Sequence, residues 1–217
     1  MCAEGRDCMD HGEPDGRLAR LAEYETTGAS TAPFYDDWSA TYEHDLLTVY
    51  GYNAHMIAAA AFGEACPDRS TRVVDFGCGT GLVGVELSRL GFSTIDGVDV
   101  SEPMRELARS TAVYQQLHYG DLTARTSIAD DQYCAAICVG SFAPGHLGPP
   151  SLAEIARCVA PGGVVVIFMN GDYFVADGYQ AHLDALAERG VWQILEVSTH
   201  NYMSALDRPG RLIIAQR

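Results

Sequence analysis

Beyond about residue 67 the chain falls into a repeating rhythm. Short runs rich in Val, Ile, Phe and Tyr alternate with amphipathic stretches of helical length. That alternation is the signature of βαβ units, and it predicts a mostly parallel sheet with helices on both faces. The runs place strands at about Arg72 to Phe76, Thr94 to Asp99, Tyr114 to Tyr119, Tyr133 to Gly140, Gly163 to Met169, Trp192 to Asn201 and Leu212 to Gln216. Helical spacing predicts helices at about Gly81 to Leu90, Pro103 to Ala112, Ser151 to Val159 and Tyr179 to Arg189. The last two strands have no helix between them, only the Ser204 to Gly210 turn, which predicts an antiparallel hairpin closing one sheet edge.

Ahead of this core the pattern is helical throughout. Leu18, Leu21, Ala22 and Glu25 predict a short helix ended by Thr26, Thr27 and Gly28. Tyr35, Trp38, Tyr42, Leu46 and Val49 recur at helical spacing, and a turn at Gly51 to Asn53 leads into a helix over about Ala54 to Ala65. The expected organisation is a disordered leader over 1–16, a helical cap over 17–66 and an α/β core over 67–217, cap and core forming one compact domain.

Charge narrows the chemistry. The 217 residues carry 14 basic and 29 acidic side chains, for a formal charge of −15, and every basic residue is arginine. Without lysine there is no Schiff-base nucleophile and no Walker-type phosphate loop. The arginines are scattered singly among carboxylates, so a nucleic acid, which is held by clustered cations, is not an expected partner. Seven cysteines, odd in number and mostly inside apolar runs, read as reduced thiols in a cytoplasmic protein and show no metal-ligand spacing. The first residues have neither the basic nor the apolar region of a secretory signal, and no apolar run is long enough to span a bilayer, so a soluble protein is expected.

The most informative segment is VVDFGCGTGLVG, residues 73–84, a strand entering a glycine-dense turn and then a helix. Such a turn lets a ligand approach the backbone, and the helix start offers free N–H donors. Gly79, Gly81 and Gly84 also satisfy the dinucleotide pattern G-x-G-x-x-G. Asp75 separates the two readings. It ends the strand where a dinucleotide would bring its doubly negative pyrophosphate, whereas a cofactor with an ammonium and a sulfonium would be attracted there. S-adenosylmethionine has both groups. Asp99, at the end of the next strand, can accept the ribose hydroxyls of either cofactor.

The ordered set VVDFGCGTG, GVDVSEPM, YGDL and VAPGGVVVIF resembles the class I S-adenosylmethionine-dependent methyltransferases, over about Thr71 to Phe168. The resemblance implies a Rossmann-like doubly wound sheet of seven mostly parallel strands with an antiparallel edge strand and an N-terminal helical cap. More narrowly, FYDDWSATYEHD in the cap and YQAHLDALAERGVWQILE near the end are similar to the Williams-Beuren-region methyltransferase-like group. Carried over, the family pattern makes Asp75, Gly77 and Gly79 the cradle of the methionine end and Asp99 the ribose acceptor, with Val100 beside it as a cofactor-binding residue. Met104 would pack on adenine, Asp121 would meet its amine, and Leu122 would supply a backbone contact. Val139 to Ser141 would line the methionine portion and the methyl path, and Tyr35, Trp38 and Tyr42 would cover the sulfonium with aromatic faces. Where the family usually has an aspartate, this chain has Cys134, at a position expected to support the sheet rather than the chemistry.

Methyl transfer is an in-line displacement, so alignment is the main task, aided by a base that takes the acceptor's proton. His146, in the loop SFAPGHLGPP after the fourth strand, is the candidate base, and His44, His55, His200, Tyr173 and Tyr202 are further candidates that could each reach the same mouth. Cys78 and Cys138 flank the site and read as packing thiols. No Asn-Pro-Pro-Tyr or Asp-Pro-Pro-Tyr follows the fourth strand, and there is no Pro-Cys pair, so nucleobase acceptors lose ground. Asn170 and Asp172 find no carboxylate partner in SFAPGH, so no metal is expected. The leading expectation is a methyltransferase for a small-molecule acceptor. The alternatives are a cofactor-binding module without chemistry, acting as a sensor or subunit partner, and an NAD(P)-dependent oxidoreductase.

Overall fold

The computed structural model describes residues 42–142, 146–205 and 207–217. Its centre is one sheet of seven strands: β1 (Val73–Phe76), β2 (Ile95–Asp99), β3 (Gln116–Tyr119), β4 (Tyr133–Val139), β5 (Val159–Asn170), β6 (Gln193–Met203) and β7 (Arg208–Gln216). The order across the sheet is β3-β2-β1-β4-β5-β7-β6. Strands β1 to β5 pair in parallel, while β7 runs antiparallel to both β5 and β6. The hairpin predicted from the Ser204 to Gly210 turn is present, with β7 inserted beside β5 and β6 outermost. This is the doubly wound architecture expected from the sequence.

Helices α1 (Ala54–Ala65), α2 (Leu82–Arg89), α3 (Glu102–Ser110), α4 (Ser151–Cys158), α5 (Gly171–Ala176) and α6 (Tyr179–Glu188) complete the core. Because side chains alternate across a strand, each strand feeds two hydrophobic layers. Val73, Ile95, Ala135, Ile137, Val166 and Ile214 pack with Phe62 of α1 and Leu87 of α2. Val74, Phe76, Ala136, Ile167 and Ile213 pack on the other face with Ile155 of α4 and Leu183 of α6. Strands β1, β2 and β4 and the second half of β5 are buried on both sides, which is why they read as near-continuous apolar runs, while β3 and most of β6 are more exposed.

Before α1, the described residues open with a helical turn at Tyr42–His44 that continues as a widened helical turn, Asp45–Val49. Leu46 and Tyr50 from this segment pack into the layer held by α1. Tyr35, Trp38 and the leader lie outside the described residues, as does the side chain of Tyr42. Among the described residues no helix is long and apolar enough to cross a membrane.

The strand order reverses between β1, which leads outward to β2, and β4 on its other side. In open α/β sheets, ligands settle in the crevice at the carboxyl ends of the strands at such a switch point. Among the described residues, Asp75, Gly77, Gly79, Asp99, Val139 and Ser141 lie at or just beyond the carboxyl ends of β1, β2 and β4.

Candidate active site

Gly77, Gly79 and Gly81 all adopt positive φ, a backbone that folds the chain sharply from β1 into α2. A Cβ at Gly77 would overlap Ser141, which joins the end of β1 to the end of β4 across the crevice. A Cβ at Gly79 would meet nothing within 4 Å, so the turn faces open space there. One glycine is required by protein packing. The other leaves a backbone surface available to a ligand.

Two carboxylates lie together at this turn. Asp99 accepts the Gly79 N–H at 2.9 Å through Oδ2 and the Ser101 N–H at 2.9 Å through Oδ1. A carboxylate has about four acceptor positions, so two remain for ribose hydroxyls. Burial raises its pKa, partly offset by these N–H donors and by Arg105. Asp75 is fully buried, at 0% exposure, and lies beneath the turn rather than on its surface. Its Oδ2 accepts from the Tyr114 hydroxyl at 2.7 Å, while its Oδ1 has no hydrogen-bond partner among the described residues. Burial pushes Asp75 up to about 7, opposed by the Tyr114 hydrogen bond and reinforced by the nearby Asp99. Among the described residues neither carboxylate forms an ion pair with arginine.

A cationic ligand would favour the ionised form of both carboxylates, and a pyrophosphate would oppose it. The ammonium and sulfonium of S-adenosylmethionine fit a glycine turn with open backbone above a buried negative charge.

The remaining predicted contacts are spread along the same sheet edge. Val100, directly after Asp99, is 42% exposed, an apolar surface at the site rim. Ser101 caps α3 by accepting the Met104 N–H, and Met104 itself is only 3% exposed, so its side chain is largely covered by protein. Asp121 is exposed, and its Oδ1 accepts from both the N–H and the hydroxyl of Thr123, while Leu122 is buried. The Gly120 N–H donates to the Asp99 carbonyl, which ties this segment to the end of β2. Val139 is buried at the end of β4 and Ser141 is half-buried. The Leu147 N–H donates to the Ser141 carbonyl, which brings half-buried His146 back to the end of β4.

Other expectations resolve into structural roles. Burial raises Cys78 and Cys138 well above the ordinary thiol range, so both stay protonated and neither supplies a thiolate. Asn170 caps α5 by accepting the Asp172 N–H at 2.9 Å. Cys134 is exposed near the start of β4, at the sheet end opposite the crevice.

Two tyrosines were missed by sequence reasoning. Tyr114 reaches Asp75 from the loop before β3, across 39 residues of chain. Tyr52 approaches the end of β4, where a Cβ on Gly140 would lie 3.0 Å from its hydroxyl. Tyr52 stacks on buried His55, which desolvation keeps neutral, and meets Tyr202 edge-on. Only one signal was available for Tyr114, a run of glycines whose room the ligand alone does not explain.

The glycine turn and its carboxylates at the switch point of a doubly wound sheet suit a sulfonium cofactor, and sequence comparison supplies the family. The chain belongs to the class I S-adenosylmethionine-dependent methyltransferases, with S-adenosylmethionine as its cofactor. Residues 73–163 match the family model described as a methyltransferase domain. Human methyltransferase-like protein 27 is 30% identical over 166 residues, covering 74% of this chain and 67% of the human protein, in keeping with the narrower resemblance. Ubiquinone biosynthesis O-methyltransferase from Caulobacter is 31% identical over 46% of this chain, which spans only 41% of that enzyme. Among solved structures, an S-adenosylmethionine-dependent methyltransferase from Mesorhizobium loti superposes with a TM-score of 0.57 at 20% identity, covering 75% of this chain and 100% of the other.

Proposed function

We propose that the protein transfers a methyl group to an oxygen, nitrogen or sulfur atom of a small-molecule acceptor by in-line displacement. The cofactor supplies an electrophilic methyl group on a positively charged sulfur. The observation that carries the reading is the carboxylate pair, buried Asp75 and half-buried Asp99, at a glycine turn with open backbone at Gly79. Asp75 attracts the amino-acid tail electrostatically from beneath the turn, and Asp99 takes the ribose. Val100, Met104, Asp121 and Leu122 form the adenine side, while Gly77, Val139 and Ser141 form the methionine side. Tyr35, Trp38 and Tyr42 cover the sulfonium.

Alignment between this floor and the cap carries most of the rate, and His146 takes the acceptor's proton. The acidic surface supports a neutral or cationic small molecule over a nucleic acid. Small-molecule chemistry also appears in the name of the Caulobacter relative. The reduced thiols of the described residues support a cytoplasmic setting.

Incubation with S-adenosylmethionine and a metabolite panel tests the reading by release of S-adenosylhomocysteine. Turnover with at least one oxygen, nitrogen or sulfur acceptor is expected. Tight cofactor binding with silence across the panel would favour the non-catalytic module instead. With an acceptor in hand, His146→Ala should lower kcat by about 100-fold while cofactor affinity persists. Unchanged turnover removes His146 from the mechanism.

A further inference from the structure

Tyr114 occupies a space made by glycine. A Cβ on Gly84 would overlap its ring, and one on Gly81 or on Gly97 of β2 would press to 3.1 Å from it. Gly97 pairs with Asp75 across β1 and β2, so the ring is drawn in beside the carboxylate. The Tyr114 hydroxyl accepts the Gly84 N–H at 3.1 Å and lies 2.7 Å from Asp75 Oδ2. An amide N–H can only donate, so it holds the acceptor side of the hydroxyl and leaves the hydroxyl proton for Asp75. Gly84 lies in the first turn of α2, whose leading N–H groups have no partner within the helix. The chain of donors therefore runs from the positive end of α2, through one phenol, to one carboxylate.

Resting on the reading that Asp75 attracts the cofactor's amino-acid tail, we propose that Tyr114 is the positioning residue that holds Asp75 as a correctly placed anion beneath the methionine end of the site. Gly84, the third glycine of the G-x-G-x-x-G pattern, thus makes room for Tyr114. Asp75 faces Tyr114 from the loop before β3, Asp99 from β2, Cys78 from the turn and Cys138 from β4, with Arg105 acting on Asp99 and Cys78. Burial keeps Tyr114 and both cysteines protonated, so Asp75 and Asp99 are the titrating members of this group. A donor aimed at the carboxylate favours its ionised form.

Calorimetry with two probes tests this. S-adenosylhomocysteine carries the amino-acid tail, and 5′-methylthioadenosine lacks it. Tyr114→Phe should weaken S-adenosylhomocysteine about tenfold near pH 7 and leave 5′-methylthioadenosine within about twofold. The pH at which the tail preference appears should move up by about one unit. Equal loss of both ligands, or no loss of either, overturns the role. Asp75→Asn is run alongside. If it binds both ligands as the wild type does, the Asp75 reading fails and takes the proposal with it. If it loses the tail preference while Tyr114→Phe keeps it, only the role of Tyr114 fails. A readout on the wild type does not depend on either variant folding: a protected tyrosine hydroxyl proton should shift in NMR spectra with S-adenosylhomocysteine and stay fixed with 5′-methylthioadenosine. A shift common to both ligands, or to neither, counts against the proposal.

Discussion

Two carboxylates set the chemistry at the residue scale, and they differ in how they are held. Asp99 is tied by two backbone N–H donors, so Asp99→Ala strips partners from Gly79 and Ser101 as well as removing a ligand contact. Its loss should weaken S-adenosylhomocysteine at least about tenfold and lower stability by about 1–3 kcal/mol, read by calorimetry and urea denaturation. Asp75 instead carries a cost of burial. Its folded-state pKa of about 7 lies above the ordinary carboxyl value of 3.8. The folded protein therefore holds this proton more tightly than the unfolded chain does. Its contribution to the stability of the cofactor-free protein is greatest below the ordinary value, falls as the pH rises through that window, and is flat above it. A bound ammonium favours the ionised form, so the rise in Tm given by S-adenosylhomocysteine should be larger near pH 8 than near pH 6. A rise that shrinks with pH over that interval would contradict a negative Asp75 beneath the tail.

Among the elements, β1, the glycine turn and α2 act as one device with the loop before β3. Gly84→Ala should push the Tyr114 ring from its seat, with a loss of about 1–3 kcal/mol that urea denaturation would register. No change would mean that the ring relocates freely. The same elements show what the sequence made legible. VVDF, IDGVD and the helix at Ala54 to Ala65 were readable because local pattern and tertiary burial agree there. Strand β5 begins at Val159 instead of Gly163 because Val159 pairs with Tyr133, and Gly162 and Gly163 bond to Arg217 at the chain's last residue. A local rule reads Ala-Pro-Gly-Gly there as a loop. Strand β7 likewise extends back to Arg208 through pairing with β5 and β6. Helix α5 was missed because Asn170, Gly171 and Asp172 look like a turn, and in fact they start and cap a six-residue helix. Apart from the glycines that make room for the ring, the Tyr114 to Asp75 bond left no local mark, since its partners meet only when β2 and β3 take their places beside β1.

Across the whole molecule, one strand order turns scattered residues into a site. Asp75, Asp99 and Ser141 come from three strand ends that meet at the switch between β1 and β4, with helices on both faces fixing their relation. The chain carries a formal charge of −15, so a cationic acceptor should bind more weakly as salt rises. Fold alone does not fix an acceptor, because the same sheet serves many chemistries. The central claim is narrower: a negatively charged, phosphate-averse site for a sulfonium cofactor. Calorimetric titration with S-adenosylhomocysteine and, separately, with NAD tests it most directly. Saturable binding of S-adenosylhomocysteine with a Kd on the order of micromolar, and none of NAD, is the predicted result. NAD binding, or no heat from S-adenosylhomocysteine at saturating concentration, would contradict it.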